Sequence, residues 1–209
     1  MSMLIRVIAF TILIFIVSCA QKANVHEVLG KTTLTVKPIL IENKNLDTAI
    51  QRVALGKLEE QIKNPPLDAK VKSNVFKRGI SVLVGEGSAE RFNDYDFLSE
   101  KYKSADLLIM MEVKSVTQNE RNYVSQVEDE IGTKYFCVER DANATVLFNV
   151  FNPKTNQVVF AKSYKGFDYK RYCDKKAYRP DKLPKEELII LKAVERAIGA
   201  FVRDFYSIL

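Results

Sequence analysis

The sequence predicts a single α+β domain in which helices pack on a largely antiparallel sheet and a long C-terminal helix closes the fold. Three observations carry that expectation. Alternating, β-rich segments at residues 145–151 and 158–164 flank Asn152-Pro153-Lys154-Thr155-Asn156. That linker has turn composition, with proline suited to position i+1 and asparagine tolerant of φ > 0. Near the C-terminus, Leu191, Val194, Ile198, Phe201 and Phe205 recur at three- and four-residue steps, which places them on one helix face. Upstream, strand-like and helix-like segments follow one another in an order that suits a mixed sandwich.

Residues 33–41 (TLTVKPILI) alternate and run into Glu42-Asn43-Lys44-Asn45, a strand followed by a turn. Asp47 is a fair N-cap for a helix over 48–63, with Ile50, Val53, Ala54, Leu58 and Ile62 on one face and Asn64-Pro65-Pro66 as its stop. Residues 71–84 are ambiguous, although Ile80-Ser81-Val82-Leu83-Val84 reads as a strand halted by Gly85 and Gly87. A short helix is expected over 94–103 and a buried strand over 105–116. The polar stretch 118–132 reads as a long hairpin connection. Pro184 suits the first turn of the last helix, where Glu186 and Glu187 favour the positive end of the dipole.

Apolar residues make up 47% of the 209 and charged residues 28%, which places the chain among globular proteins and not disordered ones. No internal repeat, low-complexity tract or linker divides it. A formal charge of +6 favours anionic surfaces but is no nucleic-acid signature, and no nucleic-acid partner is expected.

At the N-terminus, Arg6 precedes an apolar run from Val7 to Val17 that only Thr11 interrupts. The run falls short of the roughly 20 residues a membrane span needs. It ends in Ile16-Val17-Ser18-Cys19, which resembles a bacterial lipobox. That resemblance implies a signal peptide over 1–18, acylation (palmitate among the chains) at Cys19, a tether over 19–32 and one domain over 33–209. The alternatives are an uncleaved signal anchor or an ordinary buried helix. Ala20, and not aspartate, follows the cysteine, so the expected location is the outer membrane. The periplasmic face is the expected side, with surface exposure as the alternative. At about 3.5 Å per residue the tether spans some 40 Å, which keeps the body close to its membrane.

With Cys19 acylated, Cys137 and Cys173 remain, and an oxidising compartment favours a disulfide between them. Their positions agree. A hairpin folded about Thr155 pairs residues whose numbers sum to about 310, as those of Cys137 and Cys173 do, within one residue of register. Two buried free thiols are the alternative.

The run Ala105-Asp106-Leu107-Leu108-Ile109-Met110-Met111-Glu112-Val113 is similar to a strand found in a broad group of envelope lipoproteins. That group includes the curli secretion channel and the lipoprotein activators of penicillin-binding proteins. Asn152-Pro153-Lys154-Thr155-Asn156-Gln157-Val158-Val159 resembles a hairpin of that group, with Asn156 where glycine is usual, and Met111 departs from a common glycine. The resemblance implies an envelope accessory protein. It does not extend to a pore, because residues 119–142 carry Glu120, Arg121, Glu128, Asp129, Glu130, Glu139, Arg140 and Asp141 where a lipid-facing band would exclude charge. Nor does a long Pro-rich linker cross the periplasm, as in many of the activators.

Catalytic constellations are sparse, and no enzyme activity, cofactor or metal is expected. The only histidine, His26, lies in the tether, away from any nucleophile. Gly85-Glu86-Gly87-Ser88 lacks the further glycines of a phosphate loop and reads as a turn. Glu86, Glu90, Asp94 and Asp96, like Glu128-Asp129-Glu130, read as solvated loops and not as a glycan-cleaving acid pair. One stretch stands out. Between Lys162 and Lys182, basic residues interleave with Tyr164, Phe167, Tyr169, Tyr172 and Tyr178. Lys165, Lys170, Arg171, Tyr172, Lys175, Lys176, Tyr178 and Arg179 are the candidate contact residues. Basic groups beside aromatic rings suit an anionic lipid or glycan, or an acidic face of a protein. The bland alternative is a strand end with rings packed inward and lysines solvated. The expected role is thus a non-enzymatic accessory docking on another envelope protein, or else a binding module for an anionic envelope molecule.

Overall fold

The structure is a computed structural model that describes residues 33–43, 47–65, 79–83, 88–89, 94–126 and 133–208. The signal peptide, Cys19, the tether with His26, Gly85-Glu86-Gly87, Glu90 and the Glu128-Asp129-Glu130 cluster lie outside the described residues. The elements run β1 (Thr33–Ile41), α1 (Thr48–Lys63), β2 (Gly79–Val82), β3 (Ser88–Ala89), α2 (Tyr95–Lys101), β4 (Leu107–Gln126), β5 (Lys134–Asn152), β6 (Gln157–Asp174), a short 3-10 turn (Pro180–Lys182) and α3 (Glu186–Ile208).

The sheet order is β2-β1-β4-β5-β6, with β3 also beside β1. The expectation of a largely antiparallel sheet is corrected here: the sheet is mixed. β1 is parallel to β2, β3 and β4, whereas β4, β5 and β6 form an antiparallel meander. The reason lies in the connections. A strand that returns through a helix arrives parallel to the strand it left, and α1 and α2 both intervene between β1 and β4.

Two helices cover one face. α1 and α3 lie over Leu34, Val36, Ile109, Met111, Val146, Phe148 and their neighbours, where Phe148 stacks on Phe201 with ring centroids 4.1 Å apart. On the opposite face a smaller cluster joins α2, through Leu98, to Ile39, Leu108, Met110 and Phe151. Local capping fixes these helices. Asp47 accepts from the Ala49 amide and Asp94 from the Phe97 amide. The Tyr206 hydroxyl donates to the Ile62 carbonyl at 2.6 Å and ties the end of α3 to the end of α1. Burial raises that hydroxyl's pKa to about 12. Asn156 adopts φ 54° in the β5–β6 turn, the left-handed conformation that asparagine tolerates. Its side chain donates to Asp96 and accepts from Ser99, docking the turn on α2.

Where 118–132 was expected to connect a hairpin, β4 instead continues to Gln126. Cross-strand pairs explain why a polar sequence stays extended. Glu120 faces Arg140 and Arg121 faces Glu139 in the ladder, each pair joining opposite charges. Among the described residues no helix is long and apolar enough to cross a membrane.

Candidate functional site

The outer half of the β4–β5–β6 meander carries the candidate site, and a single irregularity aims its side chains. Between Val113 and Ser115 the β4 register slips by one residue. Before the slip, odd-numbered residues of β4 face α3; after it, Ser115, Thr117, Asn119, Arg121 and Tyr123 turn to the opposite face. This is what a β-bulge does to the strand beyond it. The Asn43 side chain donates to the Val113 carbonyl at 2.9 Å and satisfies the acceptor beside the slip.

On that face α2 covers only the inner half, leaving the outer half exposed among the described residues. From β5 come Glu139 and Asp141, and from β6 Lys165, Phe167, Tyr169 and Arg171. Glu139 sits at the centre. Its Oε1 accepts from the hydroxyls of Tyr123 and Tyr169, both at 2.5 Å, and Arg121 and Arg171 lie 3.4 and 3.9 Å from its carboxylate. The two hydroxyls, then the arginines, hold the Glu139 carboxyl below its ordinary pKa. Each tyrosine's own hydrogen bond to Glu139 raises its hydroxyl, that of Tyr169 to about 12. Asp141, 7% exposed, accepts from Asn119 at 3.1 Å. The rings are thus fixed in place by their hydroxyls, while Phe167 stays 47% exposed beside Tyr169.

The disulfide closes the outer end. Cys137 and Cys173 are direct ladder partners and are bonded, with Cα atoms 4.1 Å apart. The hairpin register expected from the turn therefore holds for the whole length of β5 and β6, apart from one shift near Phe151. The Arg171 guanidinium lies over the bridge, 3.2 Å from the Cys173 sulfur and 3.4 Å from that of Cys137, and over the Tyr123 ring.

Strand alternation divides the basic-aromatic strip between two faces. Lys165 and Arg171 join the exposed cluster, whereas Lys170 and Tyr172 point to the α3 side, Lys170 lying 4.0 Å from buried Asp168. Beyond the strand, Lys175 lies over the Tyr135 ring, the Lys176 amide donates to Asp174, Tyr178 packs edge-on against Phe136, and Arg179 pairs with Asp181. Asp94 and Asp96 serve the α2 N-terminus and the β5–β6 turn. Tyr123, Glu139, Arg121 and Asp141 were not among the contact residues expected from the sequence, where Arg121, Glu139 and Asp141 counted only as charges that argue against a pore. The hairpin register places Glu139 opposite Arg171 and Asp141 opposite Tyr169, whereas Arg121 and Tyr123 join them only once the β4–β5 register and its slip are known.

No known protein-family profile matches this chain. Among solved structures, it is similar to a neuraminyllactose-binding hemagglutinin homolog from Helicobacter pylori, with 16% identity, 84% and 82% of the two chains covered, and a TM-score of 0.44. A hypothetical protein from Chlamydia trachomatis shares 11% identity over 83% of this chain and 98% of that one, with a TM-score of 0.41. A minor lipoprotein from Acinetobacter baumannii shares 10% over 83% and 92%, with a TM-score of 0.34. In sequence the likeness is much greater to an uncharacterized protein of Aquifex aeolicus (strain VF5), 45% identical over 206 residues that span 99% of this chain and all of the relative. At that identity and coverage, the chain belongs to the same family as the Aquifex aeolicus protein.

Proposed function

We propose that this protein is a lipid-anchored envelope lipoprotein, held at the periplasmic face of the outer membrane, that docks as a non-enzymatic accessory on another envelope protein. The lipobox-like Ile16-Val17-Ser18-Cys19 supports the anchor, and the resemblance to the curli-channel and activator lipoproteins supports the accessory role. The observation that carries the docking reading is the outer half of the meander, whose open face no described helix covers. Side chains there are ordered by one another, as at Glu139 with its two tyrosines, while Phe167 and Tyr169 remain exposed. Preorganised rings beside arginines reduce the ordering cost of association.

A second reading rests on Lys165 and Arg171 beside those rings, a combination that suits capture of an anionic lipid or glycan. In-cell cross-linking of the anchored chain, followed by mass spectrometry, separates the two. The Lys165→Glu, Arg171→Glu double variant is expected to lose a reproducible envelope-protein adduct by about tenfold, while Arg52→Glu, exposed on α1 away from the meander, keeps it within about twofold. Recovery of lipid or glycan alone, lost on the same double reversal, would favour the binding module.

A further inference from the structure

The β6 strand is the last strand of the sheet, and its outer edge is unpaired among the described residues. From this we infer that β6 accepts an extended, acidic segment of a partner protein as an added strand. The inference rests on the docking reading above and names how the contact is made.

The backbone supplies the first argument. In an antiparallel ladder, the closely spaced pairs are those whose N–H and C=O groups point away from each other. The Cys137–Cys173 pair, with Cα atoms 4.1 Å apart, is of that kind. Register is unbroken from there to Val150–Phe160. Every second residue from Cys173 back to Ala161 therefore turns its N–H and C=O to the open edge. No proline interrupts β6, and the disulfide holds its far end to β5. Such an edge is a template for strand addition.

Charge supplies the occupant. β6 carries Lys162, Lys165, Lys170 and Arg171 against Asp168 and Asp174, and Asp168 is 1% exposed and held by Arg196 at 2.7 Å. Lys162 pairs with Asp204 at 2.7 Å, and Lys170 and Arg171 lie 4.0 and 3.9 Å from Asp168 and Glu139, whereas Lys165 has no carboxylate partner among the described residues. An added strand alternates its side chains between both faces and so meets Lys165 and Arg171 on one and Lys162 and Lys170 on the other. The division of the basic strip between two faces then serves a single partner running along the edge. A second copy fits poorly, since antiparallel self-pairing about Gly166 sets Lys162 against Lys170.

The test uses the full chain in its own host, with a photo-reactive benzoylphenylalanine at Ser163 or at Phe167. Adducts from both positions are expected on one partner segment of net negative charge, at sites four residues apart, as residue-by-residue strand pairing requires. Ser163→Pro removes one outward N–H without touching the β5 ladder, because proline is tolerated on an edge strand. It is expected to cut the Phe167 adduct by about tenfold or more while circular dichroism and thermal unfolding show the fold kept. Ser163→Ala is expected to leave the adduct intact. An adduct that survives Ser163→Pro, a basic partner segment, self-adducts or lipid adducts alone would overturn the inference. Edge probes that capture nothing while a probe at Asn143 on the open face captures protein would also overturn it and leave the docking reading standing. Capture from neither place would sink both.

Discussion

Gly166→Ala is expected to destabilise the domain by about 3 kcal/mol, the upper end of what overpacking commonly costs. A Cβ at position 166 would lie 1.8 Å from the Ala193 carbonyl oxygen and 2.8 Å from the Ala197 nitrogen. Both are backbone atoms of α3, so no side-chain rotation relieves the overlap, and the helix must lift off β6. Lifting it would loosen the Phe148–Phe201 stack and the Tyr164 and Lys162 contacts to Asp204. Gly56→Ala is the control. Nothing lies within 4 Å of its added Cβ, and it sits inside α1, so the change is expected to stabilise by about 0.5–1 kcal/mol. Denaturant unfolding of the two variants checks both signs.

Removing the disulfide is the second large effect. The bridge joins residues 36 apart, and the chain-entropy relation assigns such a loop about 4 kcal/mol. For a domain of this size that corresponds to a fall of roughly 8–16 °C in Tm. The Cys137→Ala, Cys173→Ala double variant should show that fall without leaving a buried free thiol, and reduction of the unaltered protein should approach it. A shift under about 2 °C in both would mean that the pairing of β5 with β6 carries the outer end unaided.

Much of the fold was legible because the relevant residues obey one period or one geometric rule. The last helix followed from apolar spacing, and the disulfide from a turn whose centre fixed the register of everything beyond it. Asn156 announced a left-handed turn residue by its type alone. Other features lay beyond sequence reasoning for physical reasons. The outer half of β4 is polar on both faces, so it shows no period of two and reads as a loop. Its stability as a strand comes from partners such as Glu120–Arg140, which sequence reveals only once register is known. Arg140 also donates to the Pro184 carbonyl at 2.6 Å, a contact between outer sheet and α3 start that no local pattern encodes. The slip at Val113–Ser115 decides which face Arg121 and Tyr123 occupy, and nothing in the composition of that segment marks it. The parallel pairing of β1 with β4 required attention to the helical connections and not to the strands themselves.

The proposed lipid anchor would tie these surfaces to an envelope setting, and the mature N-terminus tests it most directly. Mass spectrometry of the membrane-associated protein is expected to find a chain that begins at Cys19 with acyl groups attached. A Cys19→Ser variant should stay unprocessed and unacylated. A native chain that retains Met1 and an unmodified Cys19 would contradict the anchor, and with it the proposed place of work.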